Sequence, residues 1–247
     1  MFRSLAVLGA ALATAAVVAE TASAAGGLSV SPSRLEATAR SGASGTVTIT
    51  NSSTRKLKVT VRARPWRQAS SGTVAANRSR RLGSVRLSPS KFTLARGASR
   101  TVTVTLRRVP ARRSLYGALD ILGKPVKRRN GINVAYRLVS SLRFNPAAGK
   151  RKLRLSAGAA GSSNRTLTVK VKNRGNTVDP VGGTVSITGP GGGRSGGIQP
   201  VGIVPGKTVK LKLLSLSGMR KGRYTAAITL AQAGRNIVSV TRHFRIR

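Results

Sequence analysis

Val47 and Ile49 alternate with Thr46, Thr48 and Thr50, and the run ends at Asn51-Ser52-Ser53. Leu57, Val59, Val61 and Ala63 alternate in the same way with Lys58, Thr60, Arg62 and Arg64, and Val102, Val104 and Leu106 with Thr101, Thr103 and Thr105. A period of two, rich in β-branched residues and bounded by turn residues, predicts antiparallel strands with one face in a core and one in water. Threonine on the wet face suits a pleated sheet better than a helix. Ile132, Val134, Tyr136, Leu138, Ser140, Leu142 and Phe144 share one side of a further continuous run, with Asn133, Ala135, Arg137, Val139, Ser141 and Arg143 on the other. Its length exceeds the usual five or six residues of a strand. Such a strand can fill its own core with one half and offer the rest as an edge; the alternative is that the whole apolar side serves its own core.

The second half repeats the grammar. Leu167, Val169 and Val171 alternate with Thr168, Lys170 and Lys172 up to Asn173-Arg174-Gly175, and Val209, Leu211 and Leu213 alternate with Lys210 and Lys212. Each half sets a glycine turn before its later strand, at Gly97 and Gly206, and a tyrosine strand after it, opening at Tyr116 and Tyr224. The matched order predicts an all-β chain of two immunoglobulin-like antiparallel sandwiches, with about seven short strands each. A tyrosine opening the penultimate strand matches the corner tyrosine of such sandwiches, whose hydroxyl satisfies a nearby backbone group; an ordinary half-buried tyrosine is the alternative. The small-residue and proline break Asn145–Gly149 sets the boundary, giving domains over 25–147 and 148–247. Gly189–Gly197, rich in glycine, reads as a flexible loop inside the second domain. No helix follows it to supply a dipole for phosphate binding.

The first residues carry an export signal. Arg3 precedes an apolar run, Leu5–Ala19, and Ala22-Ser23-Ala24 is a small-x-small cleavage site, so 1–24 reads as a secretory signal peptide. The run is short for a membrane span, which needs about 20 apolar residues; retention as an N-terminal anchor is the alternative. The expected location is the periplasm or the extracellular, cell-wall-associated space. With no cysteine there are no disulfide staples, and stability must come from core size.

Composition removes most chemistry. The 247 residues hold 45 Lys+Arg against 4 Asp+Glu, with one histidine, His243, no cysteine and a formal net charge of +41. Glu20, Glu36, Asp120 and Asp179 are far apart in sequence, so a carboxylate dyad, a metal site, a thiol nucleophile and a resident cofactor are not expected. No enzymatic activity and no small-molecule substrate are expected. The charge is spread over both halves, with 25 Lys+Arg in residues 25–148 and 19 in residues 149–247. Such a field draws polyanions. For an exported chain, anionic envelope polymers are the natural candidates. Nucleic acid fits poorly, because Trp66 is the only tryptophan and stacking platforms are scarce.

Several phrases in order resemble the N-terminal domain of periplasmic pilus-assembly chaperones, the PapD-like immunoglobulin fold. Val30–Leu35, with Pro32 and Arg34, is similar to that family's opening strand, and Gly45–Asn51 to its second. Val85–Leu94 followed by Gly97, and Val109-Pro110 followed by Arg113–Tyr116, are similar to later phrases. The resemblance covers roughly residues 28–146. It implies that a basic pair in the interdomain cleft holds a subunit's C-terminal carboxylate, while an exposed strand gives alternate apolar side chains to that subunit. Arg34 takes the place of the first basic residue. Ser141 stands where the second is expected, so Arg137 or Arg143 would have to substitute. The donor strand would be Gly131–Phe144, with Ile132, Val134, Tyr136 and Leu138 as its contacts.

More loosely, Ile203–Thr208 and Gly222–Ala226 resemble a sandwich of Gram-positive WxL-interacting cell-surface proteins. The expectation is a non-enzymatic envelope protein whose partners are protein subunits of a surface structure, bound by edge-strand pairing. A basic wall- or matrix-associated protein that binds anionic polymers is the alternative.

Overall fold

The computed structural model describes residues 22–23, 26–127, 132–163 and 165–246. The expected signal peptide lies outside the described residues except for Ala22 and Ser23. Those two form a short strand, β1 (Ala22–Ser23), followed by β2 (Leu28–Ser31), β3 (Arg34–Thr38), β4 (Ser44–Asn51), β5 (Leu57–Gln68) and β6 (Val74–Ala76). Then come β7 (Val85–Ser88), β8 (Lys91–Leu94), β9 (Ser99–Leu106), β10 (Leu115–Pro125) and β11 (Tyr136–Asn145). One sheet has the order β1-β2-β4-β9-β7, and the other β3-β11-β10-β5-β6 with β8 also on β5.

The first sandwich holds more segments than the seven expected, and two prolines explain much of the surplus. A proline has no N–H to give a ladder. Pro32 therefore ends β2, which pairs with β4, and the chain continues as β3, which pairs in parallel with β11 in the opposite sheet. Pro89 separates β7, on β9, from β8, on β5, in the same way. The alternation seen in the sequence fills the space between the sheets: Val47, Ile49, Val102, Val104 and Leu106 meet Leu57, Val59, Val61, Leu119, Ile121 and Leu142. Each such burial contributes roughly 1.5–3 kcal/mol.

After a single 3-10 turn at Ala148–Lys150, the second sandwich runs β12 (Leu155–Ser163), β13 (Thr166–Asn173), β14 (Pro180–Gly189), β15 (Gly192–Gly202), β16 (Thr208–Ser215), β17 (Gly222–Gln232) and β18 (Arg235–Ile246). Its sheets are β12-β13-β16 and β15-β14-β17-β18, closing over Leu167, Val171, Val185, Ile187, Leu211, Ile228 and Leu230. The glycine-rich stretch is not the loop expected from its composition. Residues 192–197 form one arm of a hairpin, in register from Gly189↔Gly192 to Thr184↔Gly197. The glycines make room: a Cβ at Gly189 would overlap the Tyr224 ring, and one at Gly196 would stand 2.8 Å from Leu214 Cδ1.

The two halves share one internal device. Asn51 and Asn173 end equivalent strands and are fully buried. Asn51 Nδ2 faces the carbonyls of Arg55, Leu94 and Ala95 at 2.8–3.2 Å, and its Oδ1 accepts from the Ser53 N–H at 3.0 Å. Asn173 Nδ2 donates to Thr177 and Ile203 carbonyls, and its Oδ1 accepts from the Gly175 N–H. In each half the N–H of the turn glycine, Gly97 or Gly206, donates to that asparagine's carbonyl. Both glycines have positive φ, +71° and +83°, where a side chain would be strained.

The sandwiches meet through hydrogen bonds. Gln68 at the end of β5 donates to the Gly202 carbonyl at 2.7 Å and accepts from the Val204 N–H at 2.9 Å. Asn176 donates to the Arg112 and Lys150 carbonyls.

Candidate partner-binding edge and basic cleft

β11 sits between β10 and β3, but the two neighbours do not cover it equally. β10 pairs with all of Tyr136–Phe144, whereas β3 reaches only Ser141–Asn145. Cover begins where Ser33 accepts from the Ser141 N–H (2.8 Å) and the Ser140 hydroxyl (2.9 Å). Among the described residues no strand pairs with the remaining side of Tyr136–Ser140.

The long strand expected over 131–144 is therefore shorter and divided. Gly131 lies outside the described residues, and 132–135 belong to no ladder: the register with β10 ends at Gly123↔Tyr136. Leu138, Ser140, Leu142 and Phe144 point into their own core. Tyr136 is half-buried, and its ring lies against the Gly27 backbone, where a Cβ would overlap it. Ile132 (92% exposed) and Val134 (50%) stand free in front of the strand. An exposed pair of branched apolar side chains beside an unpaired edge is an arrangement that a neighbouring chain can complete.

Arg34 opens β3 directly opposite Ser141. Its partner in charge is Glu36 (3.8 Å), which also pairs with Arg143 at 3.2 Å. Arg143 in turn lies over the Trp66 ring, 5.7 Å from its centroid, and Trp66 stacks on Tyr116 at 6.0 Å. Two polar atoms here have no hydrogen-bond partner, Ser141 Oγ and Arg143 Nε. Arg34, Ser141 and Arg143 thus converge near the junction, with Glu36 between the two guanidiniums.

Arg137 does not join them. It projects two rows away, where its Nε lies 3.0 Å from Asp120 Oδ1. Asp120 is buried and also faces Arg64, buried in turn, at 3.6 Å. Of the two expected substitutes for the second basic residue, only Arg143 shares a neighbourhood with Arg34. No sequence signal announced Glu36 and Trp66 as companions, because the parallel β3–β11 register and the β5–β10 register place them there.

Tyr224 behaves as a corner tyrosine, donating its hydroxyl to the Arg220 carbonyl at 2.9 Å. Tyr116 does not: it donates to Asn145 Oδ1 (3.1 Å) and the Asn176 carbonyl (3.2 Å), so it ties the two sandwiches. Burial pushes its hydroxyl above the ordinary tyrosine value, against the opposing hydrogen bond with Thr177. His243 is exposed on β18, 3.1 Å from the Thr225 hydroxyl. Among the described residues no three His, Cys, Asp or Glu side chains gather as a metal site would require.

No protein-family model and no curated protein matches the chain. Solved structures do. A chain from a chaperone–tip adhesin complex of CFA/I fimbriae biogenesis superposes with a TM-score of 0.53 at 14% identity, over 88% of this chain and 98% of its own length. The class 5 fimbriae chaperone CfaA gives 0.50 at 14% identity, over 85% and 94%. The fold is that of the PapD-like fimbrial chaperones, and the match spans both sandwiches.

Proposed function

We propose that the chain is an exported, non-enzymatic chaperone for protein subunits of a surface structure, holding a subunit by strand pairing along β11. The observation that carries this reading is the one-sided pairing of Tyr136–Ser140, continued by the exposed Ile132 and Val134. Main-chain groups of the open edge supply affinity, and the alternate side chains supply selectivity. The orphaned Ser141 Oγ and Arg143 Nε beside Arg34 support the second part, a carboxylate held at the junction. The shared fold with fimbrial chaperones supports the class of partner.

The test is capture of envelope subunits by wild type and by Ile132→Asn/Val134→Asn. Both side chains are exposed, so the variant keeps its fold; Leu138, buried in the core, is not a suitable probe. Loss of the captured subunits is expected, and equal recovery by both proteins ends the reading.

A further inference from the structure

The outer face of the β5–β10–β11 sheet, the face that carries Arg137, is cationic beyond what its acid balances. Asp120 is matched by Arg64 and Arg137. Lys58, Arg62, Lys91 and Lys124 project from the same face and make no ion pair among the described residues. Lys58, Arg62 and Lys124 line a shallow depression of about 280 Å³ together with Thr60, Leu122, Asp120 and Arg137. Lys58 and Lys124 stand directly opposite each other across β5 and β10. Like charges in that position destabilise a sheet. Lys170 and Lys210 oppose each other similarly in the second sandwich, so charge does not single out the first face. Its border does: Arg137 lies on the unpaired half of β11, and Val139, on the same side of that strand, is 48% exposed.

We infer that the segment docking on β11 is an acidic amphipathic strand. This rests on the edge-pairing reading above. A strand added beside Tyr136–Ser140 must direct alternate side chains to the two faces. Those following Tyr136 and Leu138 meet apolar surface. Those on the other side meet Arg137 first, while Lys124 on β10 and Lys58 and Arg62 on β5 lie one and two strands further in, about 10 and 14 Å from the added strand, and act on it through their field; among the described residues no acid pairs with these three.

The test uses the full chain and two synthetic strands of roughly ten residues, one alternating Val with Asp and one alternating Val with Asn. The Asp strand is expected to bind at least about tenfold more tightly. Arg137→Gln/Lys124→Gln should remove most of that advantage, and the pair Lys170→Gln/Lys210→Gln should leave it. Equal binding of the two strands overturns the acidic preference and leaves edge pairing standing. Equal loss in both double variants shows a diffuse field and overturns the inference as well. Asp-strand binding that is unchanged in Ile132→Asn/Val134→Asn, or displaced fully by polyphosphate, removes the strand from the account and the inference with it. Failure of both peptides to bind overturns the inference together with the edge.

Discussion

Replacing Asn51 by alanine removes a fully buried side chain that bonds to four residues. Its amide group holds the carbonyls of Arg55, Leu94 and Ala95, and its Oδ1 holds both the N–H and the hydroxyl of Ser53. The bonds to the Leu94 carbonyl and the Ser53 N–H are wholly buried; those to Arg55 and Ala95 are partly so and can be rehydrated. Two buried groups left unpaired at about 1–3 kcal/mol each give a loss of about 2–6 kcal/mol. That is a large share of the roughly 5–15 kcal/mol that holds a domain together. Urea unfolding followed through Trp66, the single tryptophan and part of the first sandwich, reads the loss directly. Asn51→Asp should be no better, since it loses both N–H donors and buries a charge. A midpoint for Asn51→Ala that implies less than about 1 kcal/mol would refute the reasoning, because it would mean these carbonyls find water unaided.

Asp120→Ala leaves the Arg64 guanidinium, 6% exposed, with only the Arg80 carbonyl as partner, and should cost about 3–5 kcal/mol in the same assay. A near-neutral effect would show that Arg64 swings out to water. Glu36→Gln frees Arg34 and Arg143 and should raise affinity for a peptide with a free C-terminal carboxylate several-fold over its amidated twin; an unchanged ratio argues against a carboxylate site there. Tyr116, raised above its ordinary value by burial, stays protonated in the folded chain after it would ionise unfolded. Its contribution is therefore intact below pH about 10 and declines as pH rises further, so wild type should lose stability relative to Tyr116→Phe above that point. Parallel pH profiles for the two proteins would contradict it.

Where a period of two met a core, it was enough: Val47 to Ile49, Leu57 to Ala63 and Val102 to Leu106 are strands with the faces expected of them. Composition misled where packing decided. The glycines from 192 to 197 serve a hairpin arm, and two other glycines of the stretch lie against Tyr224, a long-range contact that no local count of glycine contains. Alternation also continues past the true start of β11, since Ile132 and Val134 keep the pattern although the ladder with β10 stops at Gly123↔Tyr136, where β10 itself runs on to Pro125 against β5. The basic pair was half legible. Arg34 was visible as a position, but choosing between Arg137 and Arg143 needed the register, which sends one to Asp120 and the other to Glu36. Asn51 and Asn173 read as turn residues, and their burial depends on carbonyls more than 25 residues away, at Leu94 and Ile203.

An open sheet edge and a charge of +41 look like two separate liabilities, yet each answers the other. An unpaired strand flanked by Ile132 and Val134 invites a second copy of the same strand, which is how edges lead to aggregation. Two copies meeting at β11 would also bring Arg137, the cation nearest the seam, against its own equivalent, with Lys124 one strand behind it. At physiological salt the screening length is about 8 Å, so repulsion acts at the range where edges begin to pair. The field therefore opposes self-pairing and does not oppose a strand that carries acids. An edge without the charge would accept any strand, and charge without the edge would accept any polyanion. On the proposed reading, selectivity for an acidic strand arises from having both on one border, while opposed like charges such as Lys58 and Lys124 cost the sheet some stability.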